Sequence, residues 1–311
     1  MIKPDSSFVD VGDLRLHYLA WDGELARKNR PEGNRVVEPD NDDVPIILLH
    51  GLSATADTWK LVAEHLYQSY HVIAFDLRGH GLSDQPANGY DLVTIAEDVI
   101  RGMAALGLGQ VALVGHGWGA RVALPLAARH PALISHLILV DCPHVEPKHW
   151  PGMTRERFIR ERSAKEIYDS PQDFTETMRQ EMSAFWSPEV EEIISTYVRS
   201  LPDGRVEERL KPEHQRRIRE SVWEDRALSY YSKLASPVLL VPAAAEPQPG
   251  EEPPERLEDA DEFAAAKGYM AAQVQRAIQH CSVFWMPDTS HDIQLQRPKI
   301  LANAIADFIK A

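Results

Sequence analysis

An α/β fold is predicted, with a mostly parallel sheet flanked by helices and a helical lid inserted between two of its strands. Three observations carry this. Short apolar, β-branched runs such as Val72-Ile73-Ala74-Phe75 and Leu137-Ile138-Leu139-Val140 alternate with segments of helical spacing. That alternation implies right-handed crossovers and a parallel sheet covered on both faces. The run Val111–Val114 leads into Gly115, Gly117 and Gly119 and then an apolar, Ala-rich helix, a compact strand–turn–helix unit. From Cys142 to about Lys233 the strand pattern stops, an excursion too long for a loop.

The elements follow in order. Phe8–Val11, Gly12-Asp13 and Leu14–Tyr18 alternate about a two-residue turn, which predicts a hairpin. Residues 22–43 are polar, with Pro31, Gly33 and Pro39, and read as an exposed loop insertion. Val44–Leu49 is the next strand, His50–Thr58 a loop and Trp59–Leu66 a short helix. Val72–Phe75 is a buried strand ending at Asp76. Ile95, Val99, Ile100, Met103 and Leu106 fall at helical spacing, giving an amphipathic helix before the central strand. Pro131 ends the helix after the glycine turn, and Leu137–Val140 follows as a strand. The excursion is rich in Arg and Glu and carries Trp150, Trp186 and Trp223, with no strand pattern of its own. Pro237–Val241 returns to the sheet. Residues 246–262 form a Pro- and Glu-rich acidic loop, Phe263–His280 a helix and Val283–Met286 the last strand. Lys299–Ile309 is a closing helix with Pro298 at its start. The core is therefore 1–142 with 234–311, and the lid 143–233.

With 311 residues, 44% of them hydrophobic, the chain can bury one large core or a core plus a small cap. A net charge of −14 and a pI near 5.4 argue against a nucleic-acid partner and against an anionic membrane surface. No charged-then-apolar leader or long apolar stretch is present, so neither a signal peptide nor a membrane span is expected. Two cysteines, Cys142 and Cys281, do not make a disulfide framework. A cytoplasmic protein acting on a small molecule fits this composition, and a homodimer is compatible with it.

The strand–turn–helix unit is the setting of the nucleophile elbow, G-x-S-x-G. Here the central position is Gly117 in Gly115-His116-Gly117-Trp118-Gly119, so the elbow is present and its nucleophile is not. Ile46–Leu49 followed by His50-Gly51 resembles the strand and oxyanion loop of α/β-hydrolases. Asp76-Leu77-Arg78-Gly79-His80-Gly81-Leu82-Ser83 resembles their D-x-R-G-x-G-x-S segment. Ser290-His291-Asp292, before the closing helix, stands where that family keeps its catalytic histidine. The resemblance spans residues 8–140 and 234–310. It implies a serine esterase- or lactonase-like member with a lid and no cofactor or metal.

Ligands of open α/β sheets bind beyond the carboxyl ends of the strands. His50, Asp76, Gly117, Asp141, Glu246 and His291 all follow apolar runs and are expected to gather at that edge, beneath the lid. His291 is the expected general base. Two acids could orient it. Glu246 holds the family's usual place, after the strand that follows the lid. Asp141 holds the place used by several dehalogenases and lactonases. Rigid support on a strand end favours Asp141. By resemblance, the oxyanion hole is made by the main-chain N–H groups of Leu52 and Trp118. Trp118 also counts as a substrate contact, and Trp150, Trp186 and Trp223 suit either a lid core or an aromatic substrate wall. Asp141, Cys142, His144 and His149 match no common zinc spacing.

Glycine offers no atom for an acyl-enzyme. Three explanations compete: a serine hydrolase whose nucleophile has been replaced, a nucleophile-less small-molecule receptor, or an oxygenase or lyase using the histidine–acid pair alone. The intact remainder of the site favours the first, an ester or lactone hydrolase that is inactive or severely impaired as it stands. An Asp nucleophile, as in the G-H-D-W-G of epoxide hydrolases and dehalogenases, is the alternative parent. Those enzymes usually carry H-G-x-P, whereas Leu52-Ser53 follows His50-Gly51 here, which favours serine.

Overall fold

The computed structural model describes residues 2–23, 44–142, 146–160, 167–255 and 257–311. Eight strands form the main sheet: β1 (Asp5–Asp10), β2 (Arg15–Trp21), β3 (Ile46–Leu49), β4 (Val72–Phe75), β5 (Val111–His116), β6 (Ile134–Val140), β10 (Val238–Val241) and β11 (Cys281–Val283). Their order is β1-β2-β4-β3-β5-β6-β10-β11. β1 and β2 are an antiparallel hairpin, β2 pairs antiparallel with β4, and every later pair is parallel. The hairpin, buried strands and crossovers thus stand as the sequence implies.

Alternation along the strands sorts side chains onto two helical layers. Ile47, Leu49, Leu113, Leu137 and Leu139 face α2 (Leu92–Ala105), α3 (Trp118–Arg129) and α9 (Ala260–Ala277). Ile46, Leu48, Val114, Ile138 and Leu239 face α1 (Lys60–Leu66) and α11 (Pro298–Lys310). Sheet strands buried on both faces explain why their sequences are apolar throughout rather than alternating. Helix starts are set locally: Asp91 and Asp259 each accept a backbone N–H of the first turn, and Pro298 opens α11.

Boundaries shift at several elements, β1, β2, β3 and β6 among them. The short helix starts as a 3₁₀ turn at Ala56–Trp59 before α1; α9 begins at Ala260, not Phe263; and the last strand is Cys281–Val283 rather than Val283–Met286. Phe284 and Met286 still donate backbone N–H groups to Leu240 and Pro242, so the edge continues irregularly past β11. Of the predicted loop insertion at 22–43, residues 24–43 lie outside the described residues.

The insert between β6 and β10 is not wholly helical, which corrects the sequence reading. It carries α4 (Arg155–Arg160), α5 (Pro171–Glu181), α6 (Pro188–Ser195), α7 (Pro212–Glu224) and α8 (Leu228–Tyr231). It also has a three-stranded antiparallel sheet, β7 (Ile167–Tyr168), β8 (Val198–Ser200) and β9 (Val206–Glu208), ordered β7-β9-β8. These strands are two or three residues long, and three of their eight residues are charged, so no period of two could register. Their turn did leave a signal, Pro202-Asp203-Gly204, which closes with Gly204 N–H donating to Leu201 O at 3.0 Å. Tyr168, Phe174, Ile193, Ile194 and Val206 give this part a core of its own, joined by Leu295. Leu295 belongs to α10 (Ile293–Gln296).

Candidate active site

β5 runs through His116 into Gly117, and α3 starts at once with Trp118. Gly117 has φ +52° and ψ −115°, a conformation that glycine takes at little cost and that strains any other residue. A Cβ on Gly119 would stand 2.4 Å from the carbonyl oxygens of Leu49 and His50, and one on Gly115 2.5 Å from Ala120 Cα. The outer glycines are therefore required by backbone packing, independently of chemistry. A Cβ on Gly117 would instead meet the His291 ring, 3.0 Å from Nε2 and 3.2 Å from Cε1, so that the ring must give by a few tenths of an ångström to admit a side chain there.

His291 lies between β11 and α10. Its Nδ1 stands 2.6 Å from Asp141 Oδ2. Asp141 follows the last residue of β6 and is almost wholly buried, with φ +40°. Its Oδ1 accepts the Ala243 N–H at 2.8 Å, and Lys267 Nζ reaches both oxygens, at 3.1 and 2.8 Å. Burial alone would raise the Asp141 pKa; the His291 hydrogen bond and the Lys267 charge reverse this and hold the carboxyl well below its usual range. An ionised acid accepts only, so His291 Nδ1 carries the proton, and Nε2 faces position 117. The histidine itself is moved upward. Its burial among protein groups works against the charge, but the hydrogen bond and charge of Asp141 prevail. The side chain keeps 56% of its surface accessible, because it stands at the floor of an open cavity.

His116 packs beside it, ring centres 4.5 Å apart, and its Nε2 lies 3.0 Å from His291 O. Burial first, and the neighbouring His291 second, lower its pKa to about 4, so it is neutral and positions the His291 backbone.

The loop after β3 is set by His50. Leu77 N–H donates to His50 Nε2 at 3.0 Å, so Nδ1 carries the hydrogen and donates to Gly51 O at 2.8 Å. Burial lowers the His50 pKa, consistent with this neutral form. In a trans peptide the following N–H opposes the carbonyl, so drawing Gly51 O inward turns the Leu52 N–H outward. Leu52 and Trp118 both line the cavity, and Trp118 N is one of the unsatisfied donors of a helix start. The Trp118 ring stacks on His80 at 5.0 Å and is 7% exposed. His80 is neutral too, lowered to about 3 by burial and by His50.

Among the described residues the cavity measures about 190 Å³. Gly117, Asp141 and His291 form its floor, and Trp150, Phe158, Ile218, Val222 and Phe263 its apolar wall. Trp150 meets Phe158 and Phe263 edge-on at 5.9 and 6.2 Å.

Several expected residues lie elsewhere. Glu246 is exposed and takes no part in holding His291, because the chain after β10 turns Ala243 rather than Glu246 toward the acid. Trp223 stands behind Phe158 at 5.9 Å, and Trp186 donates its indole N–H to Glu191 in the insert's own core. Neither lines the cavity. His50 and Asp76 do end strands, but both are buried as braces of loops. His149 is paired with Glu146 at 3.0 Å, and His144 lies outside the described residues. Lys267 carries no sequence signal: a lone lysine in a helix makes no motif, and only its neighbours Ala266, Met270 and Ala271, all buried, point it inward.

A histidine–acid pair beside a glycine-rich elbow at the carboxyl edge of this sheet is an arrangement known from the α/β-hydrolase fold. Residues 44–164 match the family model of the alpha/beta hydrolase fold. The chain is 34% identical over 119 residues to Epoxide hydrolase 3 of Xenopus tropicalis, covering 37% of this chain and 32% of that one. The matched stretches span about a third of the length of such curated relatives. The solved structure of E-2-(acetamidomethylene)succinate hydrolase superposes with TM-score 0.75 at 20% identity, covering 99% of this chain and 100% of that one. An esterase from Exiguobacterium antarcticum gives 0.70 at 17% identity, with 99% and 100% covered. The chain has the α/β-hydrolase fold, and residues 44–164 resemble that family in sequence. No described helix is long and apolar enough to cross a membrane.

Proposed function

We propose that this site is built for hydrolysis of a small apolar or aromatic carboxylic ester or lactone, with Gly117 in the place of the nucleophile. The single observation that carries the reading is that a side chain at 117 would point straight at His291, its Cβ 3.0 Å from Nε2 and close enough that the ring must shift slightly, backed by the 2.6 Å bond to Asp141. A serine there would lie within reach of its base, and the base is already oriented by an ionised acid. Leu52 and Trp118 N–H groups would meet the developing oxyanion. The insert, residues 143–233, would serve as lid, its Trp150 and Phe158 giving the acyl or alcohol part an aromatic wall. The cavity is smaller than the roughly 300–1,000 Å³ of drug-sized sites, which favours a compact substrate.

With glycine at 117, no acyl-enzyme can form there. His291 retains the means to activate water, and the oxyanion donors do not depend on side chains. Slow hydrolysis at about 10³–10⁴-fold over water is the ceiling expected of such a remnant. The chain as it stands should bind substrate far better than it turns it over. Gly117→Ser tests this by adduct formation at residue 117 with a fluorophosphonate and by multiple-turnover hydrolysis of an ester and lactone panel.

The epoxide hydrolase relative supports a second reading, an Asp nucleophile. Gly117→Asp with an epoxide panel discriminates: turnover by the Asp variant and none by the Ser variant would transfer the assignment.

A further inference from the structure

A second hydrogen-bonded series of serine, histidine and acid crosses β1, β2 and β4, away from Gly117. Ser6 Oγ lies 2.8 Å from His17 Nε2, and His17 Nδ1 lies 2.7 Å from Asp76 Oδ2. The register produces this line. Phe8 pairs with His17 and Ser6 with Leu19, so Ser6 is the diagonal neighbour of His17 on one face of the hairpin. On the other side, Asp76 N–H donates to His17 O at 2.9 Å, which sets the two residues level across β2 and the end of β4.

The proton positions follow from the acid. Asp76 also accepts the Ala56 N–H at 2.6 Å and the Leu82 N–H at 2.9 Å. Burial opposes its ionisation, but His17 and these donors keep its pKa lowered. An ionised Asp76 requires the hydrogen on His17 Nδ1, so Nε2 is the acceptor for the Ser6 hydroxyl. His17 and Asp76 are buried at 2% and 1%, whereas Ser6 is exposed on the edge strand. Nucleophile, base and orienting acid thus have the mutual geometry of an activated serine.

All three line one cavity of about 450 Å³ among the described residues, together with Asp57 and Lys60 and, from the insert, Thr196 and Arg209. Arg209 Nε donates to Thr196 O at 2.8 Å and Nη1 to Gly81 O at 3.4 Å; no carboxylate lies within ion-pair distance of it among the described residues, although the charges of Asp76 and Asp57 reach it across the same cavity. Holding the loops would account for Asp76. It would not call for a serine on the base's outer nitrogen or for a cation at the same opening.

We propose that Ser6, His17 and Asp76 form a second nucleophilic site, one that takes the acyl group of a small ester carrying an anionic group, with Arg209 receiving the anion. The Ser6 Oγ–carbonyl bond forms as its proton passes to His17 Nε2. The ester C–O bond breaks as that proton goes to the leaving alcohol. Water then attacks the acyl-serine, giving its proton to His17, which returns it to Ser6 as the acid departs.

The test treats the intact protein with a fluorophosphonate and locates the adduct by peptide mass. Residue 117 has no hydroxyl, so the two sites are read separately. The adduct is expected on Ser6 and should fall at least tenfold in Ser6→Ala, a change at an exposed edge position. p-Nitrophenyl hemisuccinate should be hydrolysed faster than p-nitrophenyl acetate, a preference that Arg209→Met removes while the Ser6 adduct persists. No adduct on Ser6, or equal hydrolysis by wild type and Ser6→Ala, overturns the nucleophile. A hemisuccinate preference absent in wild type, or unchanged in Arg209→Met, overturns the anion assignment.

Discussion

Lys267→Met probes the part of the site that no motif announced. The lysine and Asp141 side chains are 8% and 1% exposed, and two contacts of 2.8 and 3.1 Å join them. Removing one partner of a buried pair leaves an uncompensated charge and costs about 3–5 kcal/mol. At roughly 2–4 °C per kcal/mol, the melting temperature should fall by on the order of 10 °C. The pH dependence gives a sharper signature. Asp141 is depressed in the folded protein, so its contribution is present above its unfolded pKa, about 3.9, and fades as pH falls through the folded value. Losing Lys267 moves that folded value up. The deficit of the variant should therefore be full at neutral pH and shrink as pH drops below about 4. His291 moves the same way: the Lys267 charge opposes its protonation, so its titration, followed by NMR, should shift to higher pH in the variant. Replacing both partners, Lys267→Met with Asp141→Asn, should cost less than the sum of the single changes by about 0.5–3 kcal/mol in urea unfolding. A cost under about 1 kcal/mol for Lys267→Met, or strict additivity, would refute the ion pair as a brace of the acid.

In the Gly117→Ser background, Asp141→Asn should lower turnover by about 10⁴-fold, as loss of the orienting acid does, while Glu246→Gln leaves it within twofold or so. Equal losses would return Glu246 to the site. Gly119→Ala should be strongly destabilising, by about 3 kcal/mol or more in denaturant unfolding, because its Cβ meets two carbonyl oxygens at 2.4 Å. Near-normal stability there would mean that the elbow glycines are kept for another reason. Gly117→Ser, by contrast, should fold with a loss of about 1–3 kcal/mol, the cost of a non-glycine residue in that backbone conformation.

How much of this was legible depended on whether a feature repeats along the chain. β4, buried on both faces, is legible to the residue in Val72–Phe75, and α2 in its apolar period. The elbow was legible because strand, glycines and helix are contiguous. The acid was legible only as a choice, since Asp141 and His291 are 150 positions apart and their 2.6 Å contact is made by the sheet. Lys267 and the Ser6–His17–Asp76 line depend on strand register and helix rotation, which no local pattern encodes. The strands of the insert failed for a different reason. Two or three residues cannot express a period, and charge on Arg199, Glu207 and Glu208 hid them, although Arg199 and Glu207 pair across β8 and β9.

The claim that Gly117 stands where a nucleophile belongs is tested most directly by measuring kcat/KM of Gly117→Ser against the unaltered protein on one ester that both bind. Single removal of a serine nucleophile elsewhere costs about 10⁶-fold, equivalent to roughly 8 kcal/mol of barrier, so a gain approaching that size is the upper expectation. Ser6→Ala in both proteins removes any contribution from the second site. A gain of three or more orders of magnitude, with a covalent adduct mapped to residue 117, is the predicted result. A folded Gly117→Ser that gains neither turnover nor adduct on the ester and lactone panel, while the glycine form binds a small molecule tightly, would contradict the account and favour a receptor.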